Sequence, residues 1–268
     1  MLAISPLALV LVLGAAIFHA AWNLTLHGTS DRVAAMAVAG LVSGLILLPF
    51  TLANPPWQVL PLIILSGLAE CSYALALAAA YRRGALALTY PIGRGTAPLL
   101  VTLGGWPFLS QLPGVFGIAG AALLAFGLTL VATAGRKAGQ LAAVGFALLV
   151  GLSIATYSVI DARAVSLVSP IGYLGPVLGL MGLLLVLVVR ADTTRLRAAL
   201  KPGAQIAVGS TAAYTLVLFA FQQAGAGQVA TLRETSVLIG MLVARDATGW
   251  RVWVGAGLVV LGILVTAI

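Results

Sequence analysis

Charged side chains are scarce in this sequence. Only 7% of its 268 residues are Asp, Glu, Lys or Arg, whereas about 25% is usual in soluble domains. Apolar residues make up 62% of the chain, and the mean hydropathy is +1.15. A water-soluble fold of this length could not bury so much apolar surface, because much of any small fold faces solvent. The composition therefore excludes a soluble enzyme and a free-standing nucleic-acid-binding domain.

Residues that build disulfides, metal centres and catalytic sites are also few. Cys71 is the single cysteine, which excludes an intrachain disulfide and a cysteine-based metal site. Two histidines and six acidic residues speak against a catalytic metal centre. The sequence contains no Gly-x-Ser-x-Gly, no His-Glu-x-x-His and no phosphate-binding loop. We therefore expect no catalytic residues, no bound metal and no cofactor.

The apolar residues form runs long enough for helices that cross a membrane. Such a helix needs about 20 mostly apolar residues, whereas a transmembrane barrel would alternate apolar and polar residues, which these runs do not. Breaks at Gly, Pro and charged residues separate ten runs: 6–26, 33–52, 58–81, 85–108, 112–134, 141–160, 170–189, 203–224, 228–243 and 250–268. The sequence therefore predicts an all-α integral membrane protein with ten transmembrane helices.

Basic residues are distributed unevenly over the predicted loops. Arg163 is the only one in an even-numbered loop. Eleven lie in odd-numbered loops: Arg32, Arg82, Arg83, Arg136, Lys137, Arg190, Arg195, Arg197, Lys201, Arg245 and Arg251. Because basic loops face the cytoplasm in membrane proteins, we expect both termini outside the cytoplasm. The basic loops would contact anionic membrane lipid, and we expect no nucleic acid as a partner.

The second half of the chain repeats the first. Residues 80–84 align with 220–224, and the same offset aligns Arg94 with Glu234. The chain therefore divides into two repeats, 1–135 and 136–268, of five helices each. Because five is odd, the repeats must have opposite orientations in the membrane. Inverted repeats of this kind are typical of secondary transporters.

Four segments resemble the EamA-type branch of the drug/metabolite transporter superfamily. They are HAAWN at 19–23, AYRRG at 80–84, TYPIGRG at 89–95 and LRETS at 232–236. The resemblance covers essentially the whole chain. It implies a ten-helix carrier in a plasma membrane, the bacterial inner membrane, with a central cavity between its repeats. It also implies a small metabolite as substrate, often an exported amino acid or related compound.

Ionisable side chains inside the predicted spans are the first candidates for a site. They are Glu70, Arg94, Arg233 and Glu234. Each costs at least about 2.5–3.5 kcal/mol at the centre of a membrane helix, so a cavity or a partner must offset it. The set is neutral in sum but divided in space, which suits a zwitterionic substrate. The alternative is structural, with Glu70–Arg94 or Arg94–Glu234 as bridges that fix helix packing.

Polar and aromatic residues near these four complete the predicted site. His19 and Asn23 share one polar stripe on the first helix, and polar groups on membrane helices face inward. We predict substrate binding by His19, Trp22, Asn23, Tyr73, Tyr90, Arg94, Arg233, Glu234 and Ser236. Glu70 is the predicted proton-coupling group, with substrate binding or helix locking as the alternatives. Tyr90 and Arg94, four residues apart, should share a helix face.

These features predict a secondary transporter that moves a small polar metabolite by alternating access. The partners would be a small-molecule substrate, membrane lipid and protons as the coupling ion. A lipid flippase is the alternative, and it would need a lateral opening between helices. An intramembrane enzyme is a weaker alternative, because the sequence offers no pair of nucleophile and base.

Overall fold

The computed structural model describes residues 4–83, 86–134, 141–244 and 249–267. Within these ranges the chain forms α-helices, one 3₁₀ turn at Trp57–Val59 and no β-strand, which confirms the all-α class. The helices are α1 (Pro6–His27), α2 (Arg32–Ala53), α3 (Leu60–Arg83), α4 (Leu86–Leu109), α5 (Val115–Ala134), α6 (Leu141–Val165), α7 (Pro170–Val188), α8 (Thr193–Ala198), α9 (Leu200–Phe221), α10 (Ala226–Arg233), α11 (Thr235–Ala244) and α12 (Trp250–Ala267).

Seven helical segments in the described ranges are long and apolar enough to cross a membrane. They are Pro6–His27, Arg32–Ala53, Trp57–Arg83, Val115–Thr133, Leu141–Val165, Pro170–Val188 and Leu200–Phe221. Many large apolar side chains on these helices are exposed on the surface of the bundle. A surface of this kind needs lipid as its solvent, so the chain is a multi-pass membrane protein.

Local sequence explains where the first helices begin. Ser5 precedes Pro6 and caps α1, because its hydroxyl accepts a hydrogen bond from the Ala8 N–H at 3.1 Å. Asp31 caps α2 in the same way, through the Ala34 N–H at 3.1 Å. Both caps satisfy backbone donors that the first helical turn leaves without partners.

The sixth predicted span is longer than expected. We predicted its end at residue 160, whereas α6 continues to Val165 and includes Asp161. An aspartate near an apolar run indicates a loop when it is read from sequence alone. Here the carboxylate accepts hydrogen bonds from neighbouring helices, so the helix continues through it.

The fourth and ninth predicted spans differ in continuity. α4 is one helix although it contains Pro91, Pro98 and Pro107, each of which removes a backbone hydrogen-bond donor. The ninth span, predicted as one helix at 228–243, is instead the pair α10 and α11, interrupted at Glu234. Residues 190–202, between the seventh and eighth predicted spans, contain the short helix α8 and the first residues of α9.

Glycine allows two helix pairs to approach at the level of the backbone. On α7, a Cβ added to Gly182 would lie 2.5 Å from the Leu41 nitrogen of α2. On α5 and α12, a Cβ on Gly127 or on Gly255 would lie 2.6 Å from the carbonyl oxygen of the other. No side chain fits at these contacts, so both pairs bring the two halves of the chain together without intervening side chains.

Some predictions concern positions outside the described residues. Arg136, Lys137 and Arg245, three of the basic residues used for orientation, are among them. Gly84 of the AYRRG segment and the boundary between residues 135 and 136 lie outside as well. The orientation in the membrane and the two repeats therefore stay predictions.

Candidate functional site

A cavity lies among α1, α2, α3, α6, α7 and α9. Its polar and aromatic wall is formed by His19, Trp22, Glu70, Tyr73, Tyr157 and Tyr214, with Ser43 and Ser210. We call this space the central cavity. The centre of a water molecule can occupy about 40 Å³ of it. Because one water needs about 10–15 Å³ by this measure, the cavity holds about three waters, and a larger ligand requires the helices to separate.

Edge-to-face aromatic contacts build one side of the central cavity. The Tyr157 ring centroid lies 5.9 Å from that of Tyr73 and 5.6 Å from that of Tyr214. On α1, the His19 and Trp22 ring centroids are 5.3 Å apart. Such pairs contribute about 0.5–1.5 kcal/mol beyond their area burial, so they hold the wall in shape. Sequence reasoning identified Tyr73 but missed Tyr157 and Tyr214.

A buried carboxylate, that of Asp161, is hydrogen-bonded to this group of aromatic residues. Asp161 accepts hydrogen bonds from the Tyr214 hydroxyl and, at 2.6 Å, from the Tyr173 hydroxyl. It is fully buried, and no Lys or Arg nitrogen of the described residues lies within 4.0 Å of it. The prediction that the buried charges sum to zero is therefore wrong. With Asp161, the buried charged residues within the described ranges are three acids and two arginines. Sequence reasoning missed it by ending the sixth span one residue earlier.

The two buried arginines lie together on α4 and α10. Arg94 Nη1 donates to Glu234 Oε1 at 3.3 Å, and Arg233 Nε lies 3.9 Å from the same oxygen. We call Arg94, Arg233 and Glu234 the arginine cluster; it is almost completely buried and carries a net charge of +1. Of the two bridges considered from sequence, Arg94–Glu234 is present. Glu70 has no ion pair among the described residues and lines the central cavity instead.

Several polar atoms of the arginine cluster, and of Tyr90 and Ser236 close to it in the sequence, have no hydrogen-bond partner. Within the described ranges they are Arg94 Nη2, the three guanidinium nitrogens of Arg233, Glu234 Oε2, Ser236 Oγ and the Tyr90 hydroxyl. An unsatisfied buried polar group costs about 1–3 kcal/mol, and more when it is charged. The cluster is therefore the part of the structure where a polar ligand or water would gain the most hydrogen bonds.

The predicted site residues divide into two groups. His19, Trp22, Glu70 and Tyr73 line the central cavity, whereas Tyr90, Arg94, Arg233, Glu234 and Ser236 belong to the arginine cluster or its surroundings. The Arg94 guanidinium carbon lies 5.5 Å from the centroid of the Tyr90 ring, as expected for residues on one helix face.

Asn23 belongs to neither group. Its side-chain amide donates to the His19 carbonyl oxygen at 2.9 Å, within α1. The two groups are neighbours, because α1 packs against both α10 and α11.

Comparison with known proteins identifies the fold and no family. A solved structure named only as "Crystal structure of protein" has a TM-score of 0.71 to this chain at 15% sequence identity. The match covers 97% of this chain and 96% of that one. The fold is a known one. No protein-family model and no curated protein matches the chain, and at this identity the structural likeness carries no information about activity.

Proposed function

We propose that this protein is a secondary transporter that moves a small polar metabolite across a membrane by alternating access. The observation that carries the proposal is the central cavity, enclosed by three helices from each half of an apolar bundle and lined by Glu70. Ionisable residues inside a membrane are costly and mark substrate or ion pathways by default. A bundle with a purely structural role would need neither the cavity nor the five buried charges.

We further propose that ten helical segments form two inverted five-helix repeats. Ten segments result when α8 is part of a loop and α10 and α11 together form one span. The helix contacts support this arrangement, because α2 packs on α7 and α5 on α12, and the α3–α6 contact has its counterpart in α9–α1. Arg94 and Glu234, which are equivalent in the two repeats, are in direct contact. Transporters with inverted repeats bind substrate at the interface between them.

The distribution of charge supports a zwitterionic substrate. Two carboxylates, Glu70 and Asp161, flank the central cavity, whereas the neighbouring arginine cluster has a net positive charge. A solute with an ammonium and a carboxylate group, such as an amino acid or related compound, matches both. Export across a bacterial inner membrane completes the proposal, in line with the resemblance to EamA-type transporters. We also propose proton coupling through Glu70, and an orientation with both termini outside the cytoplasm that rests on the distribution of basic residues.

Solute counterflow in liposomes tests the function. Proteoliposomes loaded with an unlabelled amino acid mixture should accumulate labelled amino acid above the external concentration. Ser210→Phe places a ring in the central cavity and should abolish counterflow. Ser166→Phe, at an exposed loop position, is the matched control and should leave it intact. Absence of counterflow across the amino acids and related small metabolites would refute the proposal.

A groove on the side of the bundle is the feature that a lipid flippase would need. The groove lies between α3, α4 and α6, and its lining is apolar except for Thr156 and Arg163. None of its lining residues belongs to the central cavity, so the groove offers no polar path for a lipid headgroup. The same proteoliposomes test it, since a flippase would move fluorescent lipid between leaflets without solute counterflow.

A further inference from the structure

Arg233 is the buried charge whose hydrogen-bonding capacity is used least. Its side chain is 1% exposed, and none of its three nitrogens has a hydrogen-bond partner in the described part of the chain. Its one ionic contact, Glu234 Oε1 at 3.9 Å, is beyond hydrogen-bond distance. The same oxygen accepts a hydrogen bond from Arg94 Nη1 at 3.3 Å. A guanidinium carries five N–H donors, so the protein leaves an entire fork of donors unused.

Charge balance indicates what would satisfy these donors. The arginine cluster has two cations and one anion, and the other buried acids, Glu70 and Asp161, form no ion pair with Arg233 in the described part of the chain. Water alone would therefore leave Arg233 without an anion in hydrogen-bond contact. A buried ion without its partner is strongly destabilising. An anion would neutralise the cluster and accept two parallel, charge-assisted hydrogen bonds from the guanidinium fork.

The surroundings of Arg233 fit a small anionic group. Ser236, three residues after Arg233, is fully buried, and its Oγ has no partner among the residues described, so its hydroxyl is a further unused donor. Arg233 is the last residue of α10, and the chain is interrupted at Glu234 before α11 begins. Interrupted helices of this kind surround the binding sites of transporters. α1, which carries His19 of the central cavity, packs against both α10 and α11.

We propose that Arg233, assisted by Ser236, binds the carboxylate group of the transported solute. Arg94 is engaged by Glu234 and acts as a positioning residue. The site is closed in this structure, so the carboxylate reaches Arg233 when the helices around the cavity separate. Identification of the anion as part of the solute rests on the proposed function, but its binding is measured without transport. An inorganic anion such as chloride has the same charge, and the experiment separates the two sources.

The thermal stability of the purified protein in detergent reports the binding. A ligand that binds only the folded state raises its stability with concentration. Sodium acetate should raise the melting temperature saturably, whereas acetamide, the uncharged molecule of the same shape, should not. Sodium chloride at equal ionic strength should give a smaller shift than acetate. An equal response to chloride and acetate, or none to acetate, would overturn the proposal.

Three variants assign the response to Arg233. Arg233→Gln should weaken acetate binding at least tenfold, and Arg233→Lys, which keeps the charge but loses the fork, should fall between it and the parent. Glu234→Gln should tighten acetate binding at least threefold, because it frees the donors of both arginines and raises the net charge of the cluster. Arg197→Gln, on the exposed surface of α8, is the control and should behave as the parent.

The Glu234→Gln result keeps the inference testable even when Arg233→Gln fails to fold. An arginine with a purely structural role would not bind acetate more tightly after Glu234 is neutralised, so unchanged or weaker binding would contradict the assignment. The two proposals fail separately. Acetate binding without counterflow would refute the transporter, and counterflow without acetate binding would refute the role of Arg233.

Discussion

The arginine cluster predicts how much stability each of its members contributes. With an effective dielectric constant of 20, the contact of Arg94 with Glu234 at 3.3 Å corresponds to about 5 kcal/mol and that of Arg233 at 3.9 Å to about 4 kcal/mol. Glu234→Ala removes both attractions and leaves two buried cations. Arg94→Ala removes one, and Glu234 keeps Arg233. Removing one partner of a buried pair typically costs about 3–5 kcal/mol. We therefore expect Arg94→Ala to lower the free energy of unfolding by about 3 kcal/mol and Glu234→Ala to lower it by about 5 kcal/mol or more.

The double variant distinguishes pairing from ordinary packing. Arg94→Ala with Glu234→Ala leaves only Arg233 without a partner, so it should be more stable than Glu234→Ala alone and less stable than the parent. Unfolding in mixed micelles, followed by tryptophan fluorescence, measures the free energy of unfolding. Arg197→Ala, on the surface, should stay within about 0.5 kcal/mol of the parent. None of the cluster variants should transport. If Glu234→Ala is no less stable than Arg94→Ala, the charges do not interact as described.

Four further predictions follow from other parts of the molecule. Glu70→Gln should keep substrate exchange in liposomes and lose transport driven by a pH gradient; unchanged gradient-driven transport would exclude Glu70 as the coupling group. Tyr173→Phe removes a hydrogen bond to the Asp161 carboxylate and should lower the free energy of unfolding by about 1.5–3 kcal/mol; no loss would mean that this bond does not stabilise the fold. The hydrogen bond from Arg195 lowers the pKa of Asp31 below its ordinary value of 3.8. The stabilisation of the fold by this bond is therefore present above pH 3.8 and is lost as the pH falls through the lowered pKa. Acid unfolding of Asp31→Asn should lack this loss of stability, and an acid titration identical to that of the parent would contradict the role of the bond. Cysteine labelling at both termini should occur from outside the cytoplasm, and a cytoplasmic carboxy terminus would refute the orientation.

The repeat and the apolar runs were the most informative features of the sequence. Helix positions follow from runs of apolar residues, because few charged residues interrupt them. The offset of the predicted repeat aligns Arg94 with Glu234, and the two side chains are in contact. If an axis relates the two repeats, as we propose, equivalent residues near that axis lie close to each other.

Asp161 shows why some buried residues cannot be predicted from the sequence alone. A lone aspartate beside an apolar run indicates the end of a span, because an unpaired carboxylate is costly in lipid. Its partners, Tyr173 and Tyr214, are 12 and 53 residues away and lie on two other helices. Only packing brings them together. The sequence also could not show that the predicted residues divide between the central cavity and the arginine cluster. Which helix each face contacts is known only once the packing of the helices is known.

The glycine contacts between helices have a mechanical consequence if the two halves change their relative tilt, as the proposed alternating access requires. Where side chains interlock, every tilt forces them into new rotamers, which raises the barrier. At Gly182 the three nearest atoms are backbone atoms of α2, and at Gly127 and Gly255 two of the three nearest are backbone atoms, so few rotamers have to change there. If the two halves move as proposed, these two contacts would oppose the motion less than contacts between interlocked side chains. The rate of the transport cycle would then depend on residues that never touch the solute.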